Sequence, residues 1–256
     1  MPPTSSDPTA HTWMKTTEHP VDHPIIGVLG GMGPEATVDL MRRVIAATPA
    51  RDDQDHIHMI VDNNPKVPSR IAALIHGTGQ DPAPAIMAMA RGLEHSGANI
   101  LAMPCNTAHV YLDNIRQVTS IPILDMVGLT AQRVGAMTPR PKRIGILAST
   151  AVNQSGLYEG ALASHLMTMV IPEQQEQLMD IIMAVKRGDN DSTTSDLFGT
   201  IVGELRTSGV DVLLVACTEL SVMAGDLNTN IPVIDALDVL TEAIVAFARP
   251  VAEPVT

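Results

Sequence analysis

The chain contains the same stretch twice, and this limits the folds open to it more than any other feature. Ser96-Gly97-Ala98-Asn99-Ile100-Leu101-Ala102-Met103-Pro104-Cys105 aligns without gaps on Ser208-Gly209-Val210-Asp211-Val212-Leu213-Leu214-Val215-Ala216-Cys217. Downstream, Ile121-Pro122-Ile123-Leu124-Asp125 recurs as Ile231-Pro232-Val233-Ile234-Asp235, and upstream Ile26-Gly27-Val28-Leu29 recurs as Ile144-Gly145-Ile146-Leu147. The three blocks come in the same order at similar intervals, as one duplicated unit requires. Cys105 and Cys217, the two cysteines of the chain, occupy equivalent positions.

Each repeated block is a short apolar run bounded by turn residues, the pattern of a buried strand. Ile25 to Leu29, Ile57 to Val61, Ile100 to Met103, Ile144 to Leu147, Val212 to Val215 and Pro232 to Ile234 read this way. Between them, Thr37 to Ala46, Pro84 to Leu93, Val127 to Val134, Leu178 to Val185 and Leu237 to Phe247 carry the three-and-four spacing of helices. Strand and helix in alternation give an α/β fold of βαβ units with parallel strands. Only 2% of residues are aromatic, so Leu, Ile, Val, Ala and Met must fill the core. The expectation is two similar parallel-sheet domains related by a pseudo-two-fold axis. Open parallel sheets bind ligands at their strand ends, so the cleft between the halves is the expected site. Each half would bring one thiol to it.

A net charge of −12 opposes binding to nucleic-acid phosphates, and few aromatic residues are available for base stacking. Met1 to Pro24 is rich in Pro, Thr and His and lacks the apolar run of a signal peptide; residues 1–23 are expected to be a disordered tail of a cytoplasmic protein. No apolar run approaches a membrane span. Two cysteines without a C-x-x-C pair or zinc spacing indicate reduced thiols and no metal.

A cysteine at a strand end, followed by Asn106-Thr107 in one half and Thr218-Glu219 in the other, stands at a helix start. Unpaired N–H groups and the helix dipole would lower its pKa and make it a competent base. The same N–H groups can hold a carboxylate, which places a substrate α-carbon between the sulfurs. One thiolate then removes the α-proton and one thiol returns a proton to the opposite face, which inverts configuration without metal or organic cofactor. Taken singly, either cysteine is better read as a small core hydrophobe, and that reading weakens for the pair because each ends an apolar run and is followed by hydrogen-bonding residues. The stretch Gly30-Gly31-Met32-Gly33-Pro34-Glu35-Ala36-Thr37 is either a tight strand-to-helix turn or a ligand contact, and it has neither Rossmann nor P-loop spacing. Arg70, ending the loop that starts at Asp62, could grip a second carboxylate or simply be solvated. His109 and Glu219 could relay protons or serve as capping and core hydrogen-bond partners.

These motifs resemble the aspartate/glutamate racemase family: the glycine-rich opening from Ile26 to Thr37, Met103-Pro104-Cys105-Asn106-Thr107-Ala108-His109, Cys217-Thr218-Glu219, and Asn64-Pro65-Lys66-Val67-Pro68-Ser69-Arg70. The resemblance runs from about Pro24 to Ala248. It implies that Cys105 and Cys217 are proton donor and acceptor, that Asn106, Thr107 and Thr218 bind the α-carboxylate, that Arg70 recognises a side-chain carboxylate, and that Met32 lies near the substrate, with Glu219 beside it. Aspartate-acting members tend to carry Lys before Ser-Gly-x-Tyr; here Gln154 precedes Ser155-Gly156-Leu157-Tyr158. A different side chain could then be preferred, because Gln donates a hydrogen bond without charge. The resemblance also implies a return of the last helix to the first half, with Pro24 to Ser120 plus Pro232 to Ala248 in one domain and Ile121 to Ile231 in the other, and a possible homodimer acting on a small amino acid. The same scaffold would allow hydantoin racemisation, maleate isomerisation or malonate decarboxylation, although two equivalent thiols favour racemisation. A cytosolic small-molecule binding protein and a dithiol switch are readings of a different class.

Overall fold

The structure is a computed structural model, and it describes residues 23–249 apart from 190, 226 and 228. The tail expected to be disordered thus lies, but for His23, outside the described residues. The first half runs β1 (Ile26–Gly30), α1 (Pro34–Ala47), β2 (Met59–Asn63), α2 (Ala83–His95), β3 (Ile100–Ala102), α3 (Leu112–Arg116) and α4 (Met126–Gly135). The second runs β4 (Arg143–Leu147), α5 (Thr150–Ser155), α6 (Leu157–Ala163), β5 (Thr168–Val170), α7 (Gln175–Arg187), α8 (Ser192–Thr207), β6 (Val212–Val215), α9 (Thr218–Ala224), β7 (Val233–Asp235) and α10 (Ala236–Ala248). No helix of the described residues is long and apolar enough to cross a membrane.

All strand pairs are parallel. One sheet has the order β2-β1-β3, extended beyond β3 by a bridge between Leu101 and Ile123; the other has the order β5-β4-β6-β7. The two orders correspond strand for strand, and so does the register: Gly27 pairs with Leu101, and Gly145 pairs with Leu213. The central-strand glycine is there for space. A Cβ on Gly27 would come 2.8 Å from the Ala98 Cβ, and one on Gly145 would come 3.1 Å from Val210, the equivalent residue. The segment after α1 pairs two residues later than its apolar run suggests, with Met59 opposite Ile26.

The halves exchange their last helices. Val127, Ala131 and Val134 of α4 pack with Ile144, Ile146, Val212 and Leu214 of the second sheet. Leu237, Leu240 and Ile244 of α10 pack with Ile26, Val28, Ile100 and Ala102 of the first. Asp125 and Asp235 each end a strand segment and cap the exchanged helix, accepting from the Gly128 N–H at 3.0 Å and from the Leu237 N–H at 2.9 Å. The chain therefore crosses between halves after these aspartates. Residues 121–125 stay with the first sheet and 232–235 with the second, which corrects the boundaries drawn at 120/121 and 231/232: Ile123 and β7 are held by backbone pairing to the sheet before them.

The glycine-rich turn after β1 is built by close approach. Gly31 has φ +86°, and a Cβ there would lie 2.3 Å from the backbone of Asn64. Its N–H donates to the Thr37 hydroxyl at 2.9 Å, and that hydroxyl donates to the Gly33 carbonyl at 3.1 Å, so the first turn of α1 clasps the loop. Gly31→Ala is expected to cost about 2 kcal/mol or more and to lower Tm on the order of 5 °C, because it combines a left-handed Cβ with a backbone clash. A thermal melt that matches wild type would show that the turn does not need glycine.

Candidate active site

A cavity of about 860 Å³ lies between the strand ends of the two sheets. Its first-half wall is formed by Gly31 to Ala36, by Pro65, Val67 and Ser69 to Ile71 of the loop after β2, and by Cys105, Asn106 and Thr107 after β3. Opposite stand Ser149 after β4, Ile182 and Val185 to Gly188 around the end of α7, and Ala216 to Glu219 after β6. Of the residues marked in the sequence, Met32, Arg70, Cys105, Asn106, Thr107, Cys217, Thr218 and Glu219 all line this one cavity. Gln154 does not. It is exposed on α5, and its amide is not among the cavity walls.

Both cysteines are free and buried. Their surroundings differ. Cys217 is the N-terminal flank of α9, as the sequence suggests, but Cys105 is followed by Asn106 and a 3-10 turn over Thr107–Tyr111 instead of an α-helix. The Cys217 thiol donates to the Glu219 Oε2 at 3.1 Å. Burial, reinforced by the Glu219 carboxylate and only partly opposed by Lys186, holds its pKa well above the ordinary thiol value. The lowered pKa expected from the helix start is thus overturned at this position, because desolvation and a neighbouring negative charge outweigh the dipole of a two-turn helix. Cys217 rests as a thiol.

Lys186, near the end of α7, was not apparent from the sequence. It forms an ion pair with Glu219, Nζ to Oε1 at 2.9 Å. Burial works against its charge, yet the Glu219 carboxylate, by its charge and its hydrogen bond, raises its pKa. The cavity therefore holds a cation near both sulfurs, supplied by α7 instead of position 154. Arg70 is turned partly to the protein: one guanidinium nitrogen donates to the Pro68 carbonyl at 3.1 Å and the other to the Met32 carbonyl at 3.0 Å, which ties its loop to the glycine turn. Its Nε is buried without a partner among the described residues.

Three contacts join the halves on the cavity floor. The Tyr158 hydroxyl donates to the Asn106 Oδ1 at 2.6 Å, the Thr107 and Ser149 hydroxyls meet at 3.3 Å, and the Thr218 hydroxyl donates to the Pro104 carbonyl at 3.3 Å. The Asn106 Nδ2 is buried and has no partner among the described residues. Ser149 was also missed, although the repeat places it opposite Gly31. His109 takes the structural role. Its Nε2 accepts the Met126 N–H at 3.1 Å, so Nδ1 carries the proton and donates to the Cys105 carbonyl at 2.9 Å. Burial lowers its pKa and keeps the ring neutral.

Residues 29–244 match the model of the Asp/Glu/hydantoin racemase family. The broad specificity amino-acid racemase RacX of Bacillus subtilis (strain 168) is 29% identical over 228 residues, spanning 87% of this chain and 97% of its own length. The structure of Picrophilus torridus aspartate racemase is 34% identical, with a TM-score of 0.80 over 88% of this chain and 94% of its own. An aspartate racemase homologue from Pyrococcus horikoshii OT3, at 18% identity, has the same fold with a TM-score of 0.67 over 88% of this chain and 98% of its own. With two duplicated halves, one cleft and this match across most of its length, the chain belongs to the Asp/Glu/hydantoin racemase family of isomerases.

Proposed function

We propose that this racemase interconverts the L and D forms of a small acidic amino acid, aspartate foremost, by proton transfer between Cys105 and Cys217. One observation carries the reading: two free cysteines at equivalent strand ends line a single cavity that is also lined by Asn106, whose amide nitrogen has no partner among the described residues, and by the cations Arg70, Lys186 and Arg187. The relatives support it, since one is an aspartate racemase and another an amino-acid racemase of broad specificity.

In this reading the α-carboxylate is held by Asn106 Nδ2, by the Thr107 hydroxyl and by the first N–H groups of α9, donors that also stabilise the enolate-like charge of the transition state. Arg70 and Lys186 take the side-chain carboxylate. Cys105 removes the α-proton that faces it, and the Cys217 thiol delivers a proton from the other side. The reverse direction needs Cys217 to give up its proton, and the Glu219 carboxylate is its hydrogen-bonded acceptor.

Circular dichroism of aspartate, glutamate and alanine solutions tests the activity and its specificity together. Wild type should racemise aspartate fastest, and Cys105→Ser or Cys217→Ser should each lower the rate by on the order of 10² to 10⁴-fold. Lys186→Met combined with Glu219→Gln, which leaves no carboxylate unpaired, should reduce the preference for aspartate over alanine about ten- to a hundredfold. Undiminished racemisation in either cysteine variant would overturn the two-thiol mechanism, and an unchanged preference would remove Lys186 from substrate recognition.

The resting state of Cys217 can be read separately. In Cys105→Ala, alkylation of Cys217 by iodoacetamide should reach half its maximal rate above the ordinary thiol range, about pH 8.5. Adding Glu219→Gln should move that midpoint down, since it removes the neighbouring negative charge. A midpoint that stays put or rises would show that Glu219 does not hold the proton on Cys217.

A further inference from the structure

The Ser155-Gly156-Leu157-Tyr158 segment has no part in the proton transfer, yet its tyrosine is fully buried and reaches across the seam. Gly156, at φ +70° with open space around it, ends α5 and lets α6 restart in a new direction. That turn carries Tyr158 to the boundary, where its hydroxyl donates to the Asn106 Oδ1 at 2.6 Å. An amide whose oxygen is engaged on one side presents its NH₂ on the other. In Asn106 that NH₂ is buried, unpartnered and on a residue lining the cavity. In the flipped amide the oxygen would take the place of that NH₂, and an oxygen cannot donate to a substrate carboxylate.

We propose that Tyr158 is a positioning residue that locks the Asn106 amide with its NH₂ toward the substrate carboxylate. This rests on the racemase reading of the cleft. Burial pushes the phenol pKa up, so the hydroxyl remains a proton donor at any working pH. The interaction also spans the two halves. Asn106 follows Cys105 on the first, and Tyr158 belongs to the half that holds Cys217, so a single hydrogen bond couples the carboxylate donor to the placement of the opposite wall.

A double-mutant cycle tests it, using wild type, Tyr158→Phe, Asn106→Ala and the double variant. Phe retains the ring that fills the core, so only the hydroxyl is lost. Tyr158→Phe should raise KM for aspartate about tenfold with a smaller change in kcat, and in the Asn106→Ala background it should change KM by less than about twofold, since the amide it orients is gone. The same four proteins titrated with succinate, a dicarboxylate that cannot be racemised, should show the same pattern in Kd. A KM and Kd unmoved by Tyr158→Phe, or losses that multiply in the double variant, would overturn the assignment. If wild type racemises none of the amino acids while the succinate pattern holds, the positioning role stands and the racemase reading fails.

Discussion

Neither sheet can cover its own strands. Each buries one face under helices of its own half and completes the other with a helix that the chain supplies from beyond the crossover, α4 beside α6 on the second sheet and α10 beside α1 on the first. Leu237, Leu240 and Ile244 are fully buried in this exchange, and each such side chain contributes roughly 1.5–3 kcal/mol relative to exposure. The halves thus share hydrophobic cores, and separating them would expose both. Arg43 of α1 reinforces the seam, pairing with Asp39 and Asp235 at 2.9 Å each and donating to the Ser221 carbonyl at 3.1 Å. These carboxylates are largely buried, so loss of the guanidinium would leave uncompensated charge.

The position of the cleft follows from this seam. Because β3 and β6 are equivalent, their carboxyl ends reach the boundary from opposite sides, and Cys105 and Cys217, just past the two strand ends, line the same cavity. The polar contacts that close the cavity floor all cross the same line: Tyr158 to Asn106, Thr107 to Ser149, Thr218 to Pro104. A pocket made this way is pre-organised without a rigid loop of its own. The chemistry is less symmetric than the scaffold. Cys217 has Glu219 and Lys186 behind it, whereas the Cys105 backbone is fixed by a neutral His109. The duplicated fold has diverged around its two cysteines and stayed alike where strands pair.

Much of this could be read from the residues. The repeat located both central strands, both cysteines and the capping aspartates, because all of these are set by local pattern and equivalence. It did not locate β5, whose three residues follow the exposed Leu166 and carry no apolar run long enough to stand out. α8 was legible in principle, since Phe198, Ile201, Val202 and Leu205 have helical spacing and are all buried. Lys186 was not. In sequence it is one of two basic residues near the C-terminus of an amphipathic helix, where a solvated cation is the ordinary outcome, and only the packing of α7 beside α9 turns it to Glu219. Gln154 shows the converse: a position weighed by resemblance of neighbouring residues lies exposed on α5, outside the cavity lining. The pKa of Cys217 was misjudged because a sequence displays the helix start but not the desolvation.

The central claim is that two groups on opposite faces of one carbon handle the proton, and isotope placement tests it most directly. Each enantiomer of aspartate is incubated in D₂O, stopped at low conversion, and both product and recovered substrate are analysed for α-deuterium. The account predicts deuterium in the product from the first turnovers and little in the recovered substrate, from either direction, because the group that accepts the proton is not the one that returns it. Recovered substrate labelled as fast as product would mean that a single group does both, and the two-cysteine account would be contradicted.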